Sequence, residues 1–102
     1  MTNIALIGAG GKMGYRLSSN LQQSDYNVSH VELSDAGRQR LSEGLGLNCV
    51  DAKQAVPEAH VVILAVPDTL VGRVADELSP LMASGTMVIT LDAAAPFAGH
   101  LP

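Results

Sequence analysis

The chain has 102 residues, 47% of them apolar and 16% charged, with a formal net charge of −4. That suffices for one domain with a real core but not for two, and the six scattered Lys and Arg argue against a surface for nucleic acid. No apolar run approaches the ~20 residues of a membrane span, the start MTNIALIG lacks the basic region of a signal peptide, and a single cysteine, Cys49, excludes an internal disulfide and fits a cytoplasmic location.

Residues 3–8 (NIALIG) read as a short buried strand ended by glycine. Residues 12–23 shift to helical spacing, with Met13, Leu17 and Leu21 four apart. A second strand covers 27–33, ending near Glu32. Asp35 is the expected N-cap of a helix over 36–43 that runs out at Gly44 and Gly46. Residues 47–50 form a weak third strand, and 52–58 a short helical stretch broken at Pro57. The unbroken apolar run at 60–66 (HVVILAV) predicts a central parallel strand buried on both faces. After Pro67, Asp68 can cap a helix over 69–79, with Leu70, Val74 and Leu78 on one face and Pro80 at its end; Gly85 then leads into a fifth strand over 86–91.

Strands alternating with helices imply a parallel sheet with right-handed crossovers. Five strands wound both ways from the first give the order 3-2-1-4-5 with helices on both faces, the α/β Rossmann fold. With 3% aromatic residues and no Trp, the core must be built from small side chains, which suits helices packed close on such a sheet.

Between the first strand and the first helix lies GAGGKMG, residues 8–14. A strand, a glycine turn and a helix set unpaired helix N–H groups and the helix dipole against a phosphate. The common spacing G-x-G-x-x-G fits Gly8 and Gly10 but puts Met13 on its last place; G-x-x-G-x-x-G fits Gly8, Gly11 and Gly14. In the second reading Gly8 makes the sharp turn, Gly10 or Gly11 leaves room for a pyrophosphate, and Gly14 lets the helix approach the sheet. A phosphate loop of the nucleotide-hydrolase type fails, because Leu6 stands where it needs glycine and Met13 where it needs Ser or Thr. Lys12 either leans toward the phosphates or faces water.

Glu32 stands 18 residues after Gly14 at the end of the second strand. A carboxylate there accepts hydrogen bonds from the adenosine ribose hydroxyls and repels a 2′-phosphate, which favours NAD over NADP. Asp35 is explained as a cap. Arg38 and Arg40 could neutralise a 2′-phosphate, although exposed helix arginines are usually only solvated.

IALIGAGGKMG, the acid at Glu32 and VVILAVPDTLVGRVADELSPLMASGTMVI together resemble the N-terminal domain of the β-hydroxyacid dehydrogenase superfamily, which includes 6-phosphogluconate and 3-hydroxyisobutyrate dehydrogenases. The resemblance implies that backbone at Gly11, Lys12 and Met13 holds the pyrophosphate, Glu32 the adenosine ribose, and Ala65, Val66 and Pro67 the nicotinamide-side ribose. It also implies an NAD(P)-dependent oxidoreductase moving hydride to or from a hydroxy acid or sugar acid. Such a protein would be a homo-oligomer in its full-length form, with residues 1–102 as its cofactor domain and the catalytic and substrate domain following. Where 3-hydroxyisobutyrate-type enzymes carry Asp-x-Ser-Thr, this chain has Asp92-Ala93-Ala94-Ala95, so their substrate mode does not carry over.

No convincing acid/base is found in the chain itself. His30 reads as a packed strand residue, His60 as a polar strand entry and His100 as a residue of the tail; lone histidines are usually structural. Cys49 has no neighbouring His to activate it, and no His/Cys spacing suggests a metal. The chain alone is therefore expected to bind NAD(H) weakly and turn over nothing. The alternative class is a non-enzymatic NAD(H)-sensing regulatory domain, which would share the fold and the glycines.

Overall fold

The two most apolar stretches of the chain form the two inner strands of a parallel sheet. The computed structural model describes residues 2–66 and 68–90. Within them four strands, β1 (Asn3–Ile7), β2 (Asn27–Val31), β3 (Val61–Leu64) and β4 (Met87–Thr90), pair in the order β2-β1-β3-β4. All three pairings are parallel, with Ile7 opposite both Val31 and Leu64. Helices α1 (Lys12–Leu21), α2 (Asp35–Leu45), α3 (Ala52–Ala55) and α4 (Asp68–Leu78) alternate with them, and 3-10 turns follow α3 at Val56–Glu58 and α4 at Ser79–Leu81. The architecture is Rossmann-like α/β, and the run at 60–66 does supply a strand flanked on both sides.

The sheet has four strands and not the expected five in the order 3-2-1-4-5. The run at 47–50 lies beside β2 but makes only one parallel bridge, Cys49 with His30. Half-buried Leu47 and Cys49 alternate with the exposed Asn48 and Val50, and Asp51 is already the N-cap residue of α3, so the ladder has no room to extend. The second correction concerns α2. Its N-cap is Ser34, whose Oγ accepts from the Gly37 N–H at 3.0 Å, and Asp35 is the first helical residue. There its charge meets the positive end of the helix dipole instead of capping it. The helix also continues through Gly44, which packs on the Tyr15 hydroxyl of α1, and stops at Gly46, which takes the left-handed conformation at φ 68°.

Alternation along the strands divides the core. Ala5, Ile7, Val31, Val62 and Leu64 face one way, onto Val56 and Leu78. Ile4, Leu6 and Ile63 face the other way with Leu41 of α2, and Tyr15, Leu17 and Leu21 of α1 close that layer. Helices therefore cover both faces, and each fully buried Leu or Val contributes about 2 kcal/mol. Among the described residues, no helix is long and apolar enough to cross a membrane.

His30 is buried at the end of this layer, and burial holds its imidazole below the ordinary value near 6.5. The native state thus resists a proton that the unfolded chain accepts, so stability is complete above about pH 6.5 and falls as pH drops below it. The melting temperature is expected to fall between about pH 7.5 and about pH 5.5. His30→Gln should flatten that part of the pH profile; an unchanged profile would exclude His30 as its source.

Candidate functional site

The parallel sheet brings the ends of β1, β2 and β3 to one edge, and the chain leaves each strand through a residue of the glycine motif or its partners. Gly8 follows β1, Glu32 follows β2, and Ala65 and Val66 follow β3. These four residues, with Gly11 and Leu33, line a cavity of about 410 Å³. Leu70 and Val74 of α4 form part of its wall, which is mostly apolar. This is the crevice beyond the carboxyl ends of the strands where open α/β sheets take ligands.

The glycines of the loop have different duties. Gly8 adopts φ +81°, and its N–H donates to the Val31 carbonyl at 2.8 Å. A Cβ at Gly8 would also meet the Ala65 carbonyl oxygen at 2.5 Å, so the turn both needs the left-handed conformation and closes tightly on β3. Gly14, in the first turn of α1, lies against the Gly8 carbonyl oxygen. Gly10 is buried against the backbone of Gly37 in α2. Gly11 differs from all three: a Cβ there would meet only the Gly8 oxygen at 3.4 Å. The bare Cα of Gly11 therefore leaves cavity space open, whereas Gly10 is glycine because the protein itself presses on it.

Gly11 is also the N-cap residue of α1 and offers the helix no side-chain cap. The N–H groups of Lys12 and Met13 have no acceptor among the described residues. A helix N-terminus with free donors, a bare Cα beside it and a cavity in front matches the needs of a pyrophosphate. Lys12 is exposed, and neither it nor Met13 lines the cavity with its side chain.

Glu32 is tied down on both oxygens. Oε1 accepts from the Gly10 N–H at 2.9 Å, and Oε2 accepts from the Ser34 N–H and hydroxyl, each at 3.0 Å. The carboxylate thus joins the glycine loop to the start of α2 while lining the cavity. Arg38 and Arg40, read from sequence as solvated or phosphate-facing, are instead held on backbone. Arg38 Nε donates to the Glu32 carbonyl at 2.7 Å, and Arg40 Nη1 to the Gly10 carbonyl at 2.7 Å.

Two participants escaped the sequence reading. Gly37 is packed so closely that a Cβ would meet Glu32 Cδ at 2.7 Å; the signal was a glycine in the first turn of a helix, where it lowers helix propensity for no local gain. Leu33 is 86% exposed at the cavity rim, an apolar side chain left in solvent directly after the acid.

The remaining candidates lie elsewhere. His60 Nδ1 accepts from the Asn3 N–H at 2.9 Å and ties two strands together, and neither His30 nor His60 lines the cavity. Burial pushes the Cys49 thiol up, against the opposing pull of Arg38, which disfavours the thiolate. The expectations for Pro67, for Asp92 to Ala95 and for His100 concern residues outside those described.

With this geometry, comparison with known proteins is direct. Residues 3–97 match the family described as the NAD binding domain of 6-phosphogluconate dehydrogenase. The chain is 62% identical over 99 residues to a D-apionate oxidoisomerase of Cupriavidus necator, covering 97% of this chain and 36% of that protein. It is 61% identical over 102 residues to a D-apionate oxidoisomerase of Rhizobium rhizogenes, covering 100% of this chain and 37% of that one. Among solved structures it is similar, with a TM-score of 0.88 and 60% identity, to a semialdehyde dehydrogenase NAD-binding protein from Cupriavidus necator in complex with calcium and NAD; the match covers 100% of this chain and 37% of that one. The chain thus spans little more than a third of the length of the relatives it matches.

Proposed function

Since this chain belongs to the family of NAD-binding domains of 6-phosphogluconate dehydrogenase, we propose that it is the cofactor domain of an oxidoreductase acting on a sugar acid of the D-apionate kind or a related hydroxy acid. The observation that carries the cofactor half is the cavity at the strand ends, where the open Cα of Gly11 and the free N–H groups of α1 stand beside Glu32. The substrate half rests on the relatives, which bear enzyme names; those names favour an enzyme over a regulatory NAD(H) sensor.

In this reading the backbone at Gly11, Lys12 and Met13 holds the pyrophosphate, the donors being the free N–H groups of Lys12 and Met13 beside the open Cα of Gly11, while Gly8, Gly10 and Gly14 shape the loop. Glu32 takes the adenosine ribose, Leu33 offers an apolar face to the adenine, and Ala65, Val66 and Pro67 line the nicotinamide-side ribose. When bound, the nicotinamide supplies the hydride chemistry; the protein orients it and excludes water. The cavity wall offers no His or Lys among the described residues; in this reading the general acid/base and the substrate-binding groups belong to the part of the relatives' length that this chain does not span.

Titration calorimetry on the natural protein tests this. NADH should bind, and more tightly than NADPH. Gly11→Ala should weaken NADH by roughly tenfold or more while leaving the melting temperature within about 1 °C, because the new methyl enters the cavity and not the core. Absence of NADH binding by the unaltered protein overturns the cofactor reading. Failure to oxidise D-apionate or any other sugar acid with NAD overturns the substrate reading alone.

A further inference from the structure

We propose that Arg40 is a positioning residue for phosphate binding: it locks the peptide unit between Gly10 and Gly11 in the one orientation that an anion at the start of α1 tolerates. The proposal rests on the reading that this site takes a dinucleotide.

A trans peptide is planar, with its C=O and N–H pointing to opposite sides. The Gly10 carbonyl and the Gly11 N–H belong to one such unit. Arg40 Nη1 holds the carbonyl at 2.7 Å, and the N–H on the other side donates to the Gly8 oxygen at 3.1 Å. The oxygen is thereby drawn toward α2, while the N–H is held inside the loop on the Gly8 oxygen, which also lies against Gly14 in the first turn of α1. A flip of this unit would exchange them and turn a carbonyl dipole toward the phosphate site.

Glycine on both sides makes such a flip sterically easy, since neither residue carries a Cβ to resist it. The flexibility that Gly10 and Gly11 need for close packing and ligand approach therefore calls for an external restraint. The neighbouring unit has one of the same kind and opposite charge: Glu32 Oε1 accepts from the Gly10 N–H at 2.9 Å. Two consecutive peptides are thus fixed by one anionic and one cationic side chain, both from the segment that leaves β2. The Arg40 bond is charge-assisted and partly shielded from solvent. Arg40 lies 30 residues from its partner, and its role is separate from the direct ligand contacts assigned to Glu32.

The test compares Arg40→Met, which keeps an apolar stem, and Arg40→Lys, which keeps the charge and a donor, in the natural protein. Binding of NADH, ADP and adenosine is measured, together with hydrogen exchange of the Gly11 amide in the free protein. Arg40→Met should weaken NADH and ADP by about tenfold, leave adenosine unchanged and speed exchange at Gly11; Arg40→Lys should recover most of the loss. Equal losses for adenosine and ADP, or NADH affinity and Gly11 exchange both as in the unaltered protein, overturn the proposal. If the unaltered protein binds no NADH, the cofactor reading fails, while the exchange measurement still decides whether Arg40 locks the peptide.

Discussion

Replacing Gly14 by alanine is expected to lower the stability of this domain by about 2 kcal/mol, although alanine is the better helix former by about 1 kcal/mol. The reason is the identity of the atoms in the way. A Cβ at Gly14 collides with the Gly8 carbonyl oxygen, and it would stand 2.8 Å from the Gly8 carbonyl carbon and 2.9 Å from Ala9 Cα. All three are backbone, in a turn already held by hydrogen bonds to Val31 and by the Ser18 hydroxyl on the Ala9 carbonyl at 3.2 Å. Nothing there can swing aside, so α1 must lift from the loop and carry its free N–H groups with it. Cofactor affinity should fall together with stability. Gly72 in α4 is the control: a Cβ there meets nothing within 4 Å, so Gly72→Ala should stabilise by up to about 1 kcal/mol. In thermal unfolding the Gly14 variant should melt about 10 °C lower for a domain of this size, and the Gly72 variant no lower than the parent. A Gly14 variant melting with the parent would refute the close approach of α1 to the turn.

The same glycines show how far sequence reasoning reaches. Strands β1 and β3 were legible because continuous apolar runs bounded by glycine and proline have few other uses. The lengthened spacing Gly8, Gly11, Gly14 was legible because each position answers a local need: a turn, a helix entry and a close packing. What sets Gly10 apart from Gly11 is Gly37, far along the chain, and no local pattern reveals which of two adjacent glycines a distant helix will press upon. The partner of Arg40 was invisible for the same reason, since it is a carbonyl and every residue has one. Ser34 and Asp35 are both good caps, and only the backbone decides which side chain reaches the Gly37 N–H. The strand expected at 47–50 failed through its surroundings: beside β2 it finds a partner in His30 alone before α3 begins.

Glu32→Gln is expected to cost about 2 kcal/mol of NADH binding, roughly 30-fold in Kd, while leaving NADPH binding nearly unchanged. A carboxylate has about four lone-pair positions, and three are occupied here by Gly10, the Ser34 N–H and the Ser34 hydroxyl. Two ribose hydroxyls therefore need one position that is free and one that must be vacated. The Ser34 hydroxyl is the donor able to leave, because its oxygen still caps the Gly37 N–H after its proton turns away. Glutamine keeps the length of the side chain but offers a single accepting oxygen, which cannot serve both Gly10 and Ser34, let alone a ribose. Its NH₂ group would face the Gly10 or Ser34 N–H donor to donor. NADH thus loses both its charge-assisted bonds and an ordered loop. NADPH suffers the same loosening but is released from the repulsion between the carboxylate and its 2′-phosphate, and the two effects offset. The ratio of NADH to NADPH affinity should accordingly collapse by about the factor lost for NADH. Paired calorimetric titrations read this directly. A parent protein that prefers NADPH, or a variant whose cofactor ratio stays where it was, would take the discriminating role away from Glu32 and leave it only the joint between loop and helix.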